Sequence, residues 1–376
     1  MGTLDRRTAD RTSVHRTRAG DRTGVHRLWK AVLVGIAAIV AIACYFWPIL
    51  LIPLGLILVS LACARFAYRD RGRYIPNLYA KDITVYDDAY REFIGRSFEN
   101  LRRRKVSGHT LLWEASQLPD PSVENSDELL LDLGVWIGWS TRLISDACNR
   151  TVYGFDTFSG LVEDWQLEDQ LVKRGTFSLS DPFAQRFMRE TGVTFHNGLP
   201  AALGRNVEFI KGSTYDTLAP FLAERPAAPI RLFHMDLDTY ESCVHALEAC
   251  KDRFVEGSIL VFDEYLVTNG EMLAFYEFQS RYELEWHYRA WGLEMMEMNV
   301  HMVTARWKRA LYCILAIPVF LFLGEGRFLW ACFRRPFWRF WLGAPIGDIL
   351  FMLGAAGSRK SVSVEITGLG KLDRSR

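Results

Sequence analysis

An excess of charge of either sign is missing from this chain. Across 376 residues, 45 Lys and Arg stand against 44 Asp and Glu, a formal charge of +1. Proteins that bind nucleic acid through its phosphates carry a basic excess, so no nucleic acid partner is expected. A cysteine pattern is missing too: there are seven Cys, with no C-x-x-C and no metal-ligand spacing. An odd, unpatterned set argues against a disulfide scaffold and fits a reducing compartment. Cys44, Cys63, Cys313 and Cys332 lie in apolar stretches and read as small hydrophobes. Residues 1–30 have almost no large apolar side chains but carry eight Lys or Arg against three Asp. They read as a disordered basic tail.

From Ala31 to Ala64 no residue is charged. That run exceeds the roughly 20 residues a helix needs to span a bilayer, and a signal peptide would be shorter and nearer the N-terminus. Pro48 and Pro53 interrupt it, and proline disfavours a continuous helix. Basic residues flank both ends: Arg27 and Lys30 before, Arg65, Arg69, Arg71 and Arg73 after. The positive-inside rule then puts both ends on the cytoplasmic side. A transmembrane or re-entrant helical hairpin over 31–66 satisfies this. One long tilted helix is the alternative.

A second membrane-like region covers 307–357. Leu311 to Leu323 is apolar but short and contains Pro318. Arg327-Phe328-Leu329-Trp330 and Arg334-Arg335-Pro336-Phe337-Trp338-Arg339-Phe340-Trp341 follow. Arg interleaved with aromatics suits a helical segment lying at the lipid headgroups. The same pattern can stack on single-stranded nucleic acid, but its apolar neighbours favour membrane lipids. Residues 358–376 read as a loose polar tail. Residues 67–126 read as a linker with helices of a substrate pocket or lid.

Between 127 and 306 strands and helices alternate. Glu128 to Leu133 is an apolar run ending at Gly134, and a helical stretch runs from Thr141 to Cys148. Thr151 to Phe155 is a second strand and ends at Asp156, at about the 20-residue spacing of a ribose-binding acid. Asn206 to Lys211 leads to Gly212-Ser213, and Pro229 to His234 leads to Met235-Asp236-Leu237-Asp238-Thr239-Tyr240-Glu241-Ser242. A helix from Ser242 to Phe254 precedes the strand Ser258 to Phe262, which ends in Asp263-Glu264. Tyr282–Ala290 and Met295–Val303 read as a closing hairpin. The fold class is therefore α/β: a Rossmann-like, seven-stranded sheet with an antiparallel edge.

Ligands bind at the carboxyl edge of such sheets. Two strands that each end in acids deliver several carboxylates there, which suits a hard cation such as Mg²⁺ and leaves one carboxylate as a base. Loop starts and helix caps also use Asp in such places. His234 reads as a core or supporting residue.

Leu131-Asp132-Leu133-Gly134-Val135-Trp136-Ile137-Gly138-Trp139-Ser140, Val152 to Leu161, the Asp-x-Asp-x-Tyr-Glu-Ser string and Phe262-Asp263-Glu264-Tyr265 together resemble the macrocin O-methyltransferase family. That family belongs to the class I S-adenosylmethionine-dependent methyltransferases. The resemblance runs from about Asp127 to Val303. It implies Mg²⁺-dependent methylation of a sugar hydroxyl. It assigns cofactor binding to Asp132, Gly134, Gly138, Ser140, Asp156, Thr157, Gly212, Ser213 and Asp236. It assigns the metal to Asp236, Asp263 and Glu264, and the proton to Asp238. The family usually has Asp-Asp where this chain has Asp263-Glu264, and often Glu where it has Asp132.

With the membrane segments, this implies an enzyme at the membrane with its catalytic domain on the cytoplasmic side. Its substrate would be a sugar on a glycan or glycolipid, lipid-linked in the simplest case, and a homo-oligomer is compatible. Two alternatives stay open. One is a metal-independent small-molecule methyltransferase; the other is a non-catalytic membrane scaffold with a methyltransferase-like domain.

Overall fold

The computed structural model describes residues 83–100, 105–117, 127–148, 150–167, 170–182, 193–201, 206–293 and 361–372, with isolated positions between 34 and 58 and at 184, 185, 188, 327 and 330. Two compact units are distinguished, Met1–Val59 and Ser60–Arg376. In the first, the described positions are helical. No described helix is long and apolar enough to cross a membrane. Most of the expected hairpin over 31–66, the strand 295–303 and nearly all of 307–357 lie outside the described residues.

In the second unit, α1 (Asp88–Asn100), β1 (Lys105–Ser107) and α2 (Gly108–Ser116) precede β2 (Leu129–Leu133), α3 (Trp139–Cys148) and β3 (Val152–Asp156). Two small hairpins follow, β4 (Trp165–Leu167) with β5 (Gln170–Val172), and β6 (Phe195–His196) with β7 (Leu199–Pro200). Then come β8 (Val207–Lys211), α4 (Thr214–Ala223), β9 (Ile230–Met235), α5 (Tyr240–Cys250), β10 (Phe254–Phe262), α6 (Glu271–Tyr282), β11 (Glu285–Leu293) and β12 (Val362–Gly368). The main sheet has eight strands in the order β1-β11-β12-β10-β9-β2-β3-β8. Among these, only β12 runs antiparallel to its neighbours.

Each expected βα strand is present, and the reason is visible in its burial. Every residue of β2 is buried, as are Leu232, Phe233, His234 and Met235 of β9 and Ser258 to Phe262 of β10. Strands covered on both faces read as continuous apolar runs rather than alternating ones. The order reverses between β2 and β9, the switch point at which the carboxyl edge opens a crevice.

The C-terminal reading is corrected. Within 358–376, the described residues 361–372 are not a loose tail. Ser361 to Val364 and Ile366 are buried, and β12 is inserted between β10 and β11. The antiparallel strand is thus internal rather than at the edge. Because β11 and β10 run parallel with a strand's width between them, a returning strand fills the gap and satisfies both ladders. The region 67–126 is more than linker and helices as well, since β1 pairs with β11 and extends the sheet to eight strands.

Candidate functional site

The carboxyl ends of β2, β3, β8, β9 and β10 carry the expected site residues. At the end of β2 the chain must pass against β9. Gly134 has φ +94°, and a Cβ there would fall 1.7 Å from the Asp236 carbonyl oxygen. Only glycine fits both that conformation and that contact. Gly138, φ +86°, turns the chain into α3. The bend between them exposes backbone amides. Val135 and Trp136 N–H donate to Asp156 Oδ2 at 2.8 and 2.6 Å, and Phe158 N–H donates to Oδ1 at 2.5 Å. Burial nevertheless outweighs these three bonds and raises the Asp156 pKa. A carboxylate has about four acceptor sites, so one remains for a ligand hydroxyl. Asp156 therefore shapes the glycine loop and stays fit for a ribose.

Three expected cofactor contacts are placed differently. Asp132 is fully buried. Its Oδ1 meets His234 Nδ1 at 2.6 Å, and its Oδ2 accepts from Ser140 Oγ at 2.9 Å and Thr141 Oγ1 at 2.5 Å. Asp132 and Ser140 thus form part of a polar node that pins α3 to the sheet. Burial pushes the His234 pKa down, but the hydrogen bond and charge of Asp132, with Asp263, win and raise it. The Thr157 hydroxyl donates to the Gly160 carbonyl at 2.9 Å and accepts from Ser159 N–H at 3.1 Å, closing a turn. Gly212, φ +145°, leads into Ser213, which caps α4 by accepting from Tyr215 N–H.

The acids after β9 and β10 act on one another's charge, and a further acid joins them. Asp236 follows β9, and Asp263 follows β10. The Asp236 pKa is raised well above its usual value by burial, then by the charges of Asp263, Asp238, Glu271 and Glu264. Asp238 has φ 62°, a strained conformation for a non-glycine residue. Asp263 Oδ1 accepts from Ser361 Oγ at 3.4 Å, so the strand-preceding residue of the C-terminal segment reaches the site. Glu264 is buried, and its backbone N–H donates to Glu271 Oε2 at 2.9 Å. Sequence reasoning missed Glu271. It is fully buried at the start of α6, and its Oε1 has no hydrogen-bond partner among the described residues. Burial, then Asp263 and Asp238, raise its pKa strongly despite the Glu264 bond. A polar residue opening a helix after a glycine was the available signal.

No three His, Cys, Asp or Glu side chains among the described residues are gathered as metal ligands. The expected trio of Asp236, Asp263 and Glu264 is thereby reduced, because Glu264 is turned into the packed interior. Asp236 and Asp263 still form a close pair of hard oxygen donors whose charges repel. Mg²⁺ typically takes one or two carboxylates and fills its shell with water and substrate oxygens. Asp236 and Asp263 are the donors that would hold such an ion.

A family described as a methyltransferase domain matches residues 131–265. No curated protein matches the chain. Among solved structures, a calicheamicin methyltransferase, CalS11, is 21% identical, covers 57% of this chain and 84% of its own, and gives a TM-score of 0.36. The O-methyltransferase NovP is 23% identical, with coverage of 48% and 74% and a TM-score of 0.33. An O-methyltransferase from Bacillus cereus in complex with SAH is 13% identical, with coverage of 59% and 93% and a TM-score of 0.31. The matched segment spans the glycine loop, Asp156 and the acids after β9 and β10. Residues 131–265 of this chain are thus similar to a methyltransferase domain.

Proposed function

We propose that the protein is an S-adenosylmethionine-dependent O-methyltransferase that acts on a sugar hydroxyl at the cytoplasmic surface of a membrane. One observation carries the catalytic part. The carboxyls of Asp236, Asp238, Asp263, Glu264 and Glu271 act on one another's charge, and the backbone carbonyl of Asp236 lies so close to the glycine loop that Gly134 tolerates no β-carbon. Cofactor and proton-accepting groups thus share one edge.

The cofactor supplies a methyl group already electrophilic on its sulfonium. Gly134 and Gly138 let the backbone approach it, and Asp156 offers its remaining acceptor to the ribose. The acceptor hydroxyl is the weak partner, being protonated at neutral pH. Asp238 would take that proton as the methyl group passes from sulfur to oxygen. Magnesium held by Asp236 and Asp263 would polarise the hydroxyl oxygen. Burial and the charges of Asp263 and Asp238 raise the Glu271 pKa, which favours its neutral form beside them.

The sugar class rests on the sequence motifs that resemble the macrocin family. The membrane part rests on the uncharged run Ala31–Ala64 and the Arg-aromatic strings of 327–341. It is also supported by where those strings join the fold: residues 293 and 362 flank them, and both lie at the carboxyl edge. A lipid-linked sugar would meet the site there.

The test is transfer of labelled methyl from S-adenosylmethionine to lipid-linked glycans and to free nucleotide sugars by the full chain. Transfer is expected, with lipid-linked acceptors preferred. Asp238→Ala is expected to lower kcat about 10²-fold or more. Exhaustive chelation is expected to lower turnover, and Mg²⁺ to restore it. Wild-type turnover in Asp238→Ala would remove the base, and turnover indifferent to chelation would remove the ion.

A further inference from the structure

Glu163 lies in the connection between β3 and β4 and touches no expected site residue, yet it joins three loops that do. Its Oε1 accepts from Tyr215 Oη at 2.5 Å, in the first turn of α4. Its Oε2 accepts from Thr239 Oγ1 at 2.6 Å and from Ser242 Oγ at 2.9 Å, at the start of α5. Thr239 is the N-cap of α5, a position whose hydroxyl ordinarily satisfies a free N–H of the first turn. Here it makes no cap bond and is given to Glu163 instead. The anionic group sits where the dipole of α5 favours negative charge.

The segment bearing Glu163 is braced from behind. Asp164 accepts from Lys173 Nζ at 2.9 Å and from Arg174 N–H at 2.8 Å. Leu161 N–H donates to the Thr176 carbonyl, and a Cβ on Gly160 would fall 2.4 Å from the Gly175 carbonyl oxygen. A loop this constrained moves as a unit, so what holds Glu163 also places Asp156, Thr157 and Phe158 at its other end. On the far side of the contact, α5 begins directly after Asp238, and α4 directly after Gly212-Ser213.

We propose that Glu163 is a positioning residue: a latch that fixes the loop bearing the cofactor's ribose acid against the helix that follows the base Asp238. The role rests on the methyltransferase reading above. In-line transfer requires oxygen, methyl carbon and sulfur to align, and displacement by about 1 Å can cost on the order of a hundredfold in rate. A latch between the two halves acts on that alignment rather than on affinity for either ligand.

The experiment compares Glu163→Ala and Glu163→Gln in the full chain. A glutamine oxygen can serve Thr239 and Ser242 while its amide donates to the Tyr215 oxygen, so the glutamine variant keeps the latch without its charge. The alanine variant is expected to lose roughly tenfold or more in kcat. Its dissociation constant for S-adenosylmethionine, measured by calorimetry, is expected to stay within about threefold, and Glu163→Gln to recover most of the rate. Amide hydrogen exchange at 157–164 and 239–243 is expected to quicken in Glu163→Ala alone. Unchanged exchange in Glu163→Ala would overturn the latch whatever the turnover. Wild-type kcat in Glu163→Ala, or equal losses in both variants, would overturn the alignment role. Absence of turnover from the unsubstituted chain would overturn the functional reading and this role with it, a result distinct from the other two.

Discussion

At the scale of single residues, the carboxyl edge concentrates backbone conformations that side chains resist. Trp136, Phe158 and Asp238 have φ of 48°, 56° and 62°, each one short step beyond β2, β3 or β9. Such residues persist only where their surroundings over-determine them. Gly134 is the extreme case, with both a left-handed φ and no room for a β-carbon. Gly134→Ala is expected to cost about 2–4 kcal/mol, because the turn must open and the Asp236 backbone must shift. Thermal unfolding of the variant would check this, and an unchanged Tm would mean that the β2–β9 contact is looser than drawn. The glycines and Asp156 were legible in the sequence because strand, glycine, helix and acid occur at fixed spacing. The fates of Asp132, Ser140 and Glu264 were not. Each turns on which neighbour reaches a carboxylate first, and His234 and Glu271 come from elements 102 residues and seven residues away.

At the scale of elements, α5 and α6 are clamped together at the end remote from the site. Glu248 of α5 accepts from Tyr282 Oη at 2.7 Å, from Lys251 Nζ at 3.3 Å and from the Arg281 guanidinium. Burial pushes the Glu248 carboxyl up, but the bonds from Tyr282 and Lys251, with the charges of Lys251 and Arg281, outweigh it and hold the pKa below the usual 4.5. A folded-state pKa below the unfolded one gives stability that is present above pH 4.5 and lost as pH falls through the folded value. Glu248→Gln is therefore expected to cost about 1 kcal/mol at pH 7, or roughly 2–4 °C in Tm. The gap between variant and wild type should close as pH falls below 4.5 through the folded value. A gap that stays constant with pH would assign the effect to packing rather than charge. The positions of α5 and α6 were readable from helical spacing. The clamp was not, because it joins residues that only the fold brings together.

At the scale of the whole molecule, the sheet is completed by a strand that the sequence reading set aside. Ser361-Val362-Ser363-Val364-Glu365-Ile366 alternates polar and apolar residues, a strand signature in itself. It was obscured by following a long apolar and aromatic stretch and by lying near the C-terminus. Its distance in sequence from β11 hides a direct pairing: Trp291 stands opposite Val362 across the ladder. Residues 294–361 are therefore an excursion from a hairpin whose two ends already meet. A loop of two to five residues suffices to join antiparallel neighbours. Replacing 296–359 with a short Gly-Asn linker is expected to leave the cooperative unfolding transition and S-adenosylmethionine binding in place. Truncation at residue 360 is expected to abolish both, because it removes the fully buried Val362, Val364 and Ile366 and bares the edges of β10 and β11. Those three side chains alone account for roughly 5–8 kcal/mol of burial, comparable to the net stability of a domain. The linker variant also isolates the excursion's contribution at the membrane. Weaker association with anionic vesicles and a lost preference for lipid-linked acceptors, with cofactor binding intact, would assign both properties to 296–359. Unchanged association would assign attachment to the N-terminal run alone.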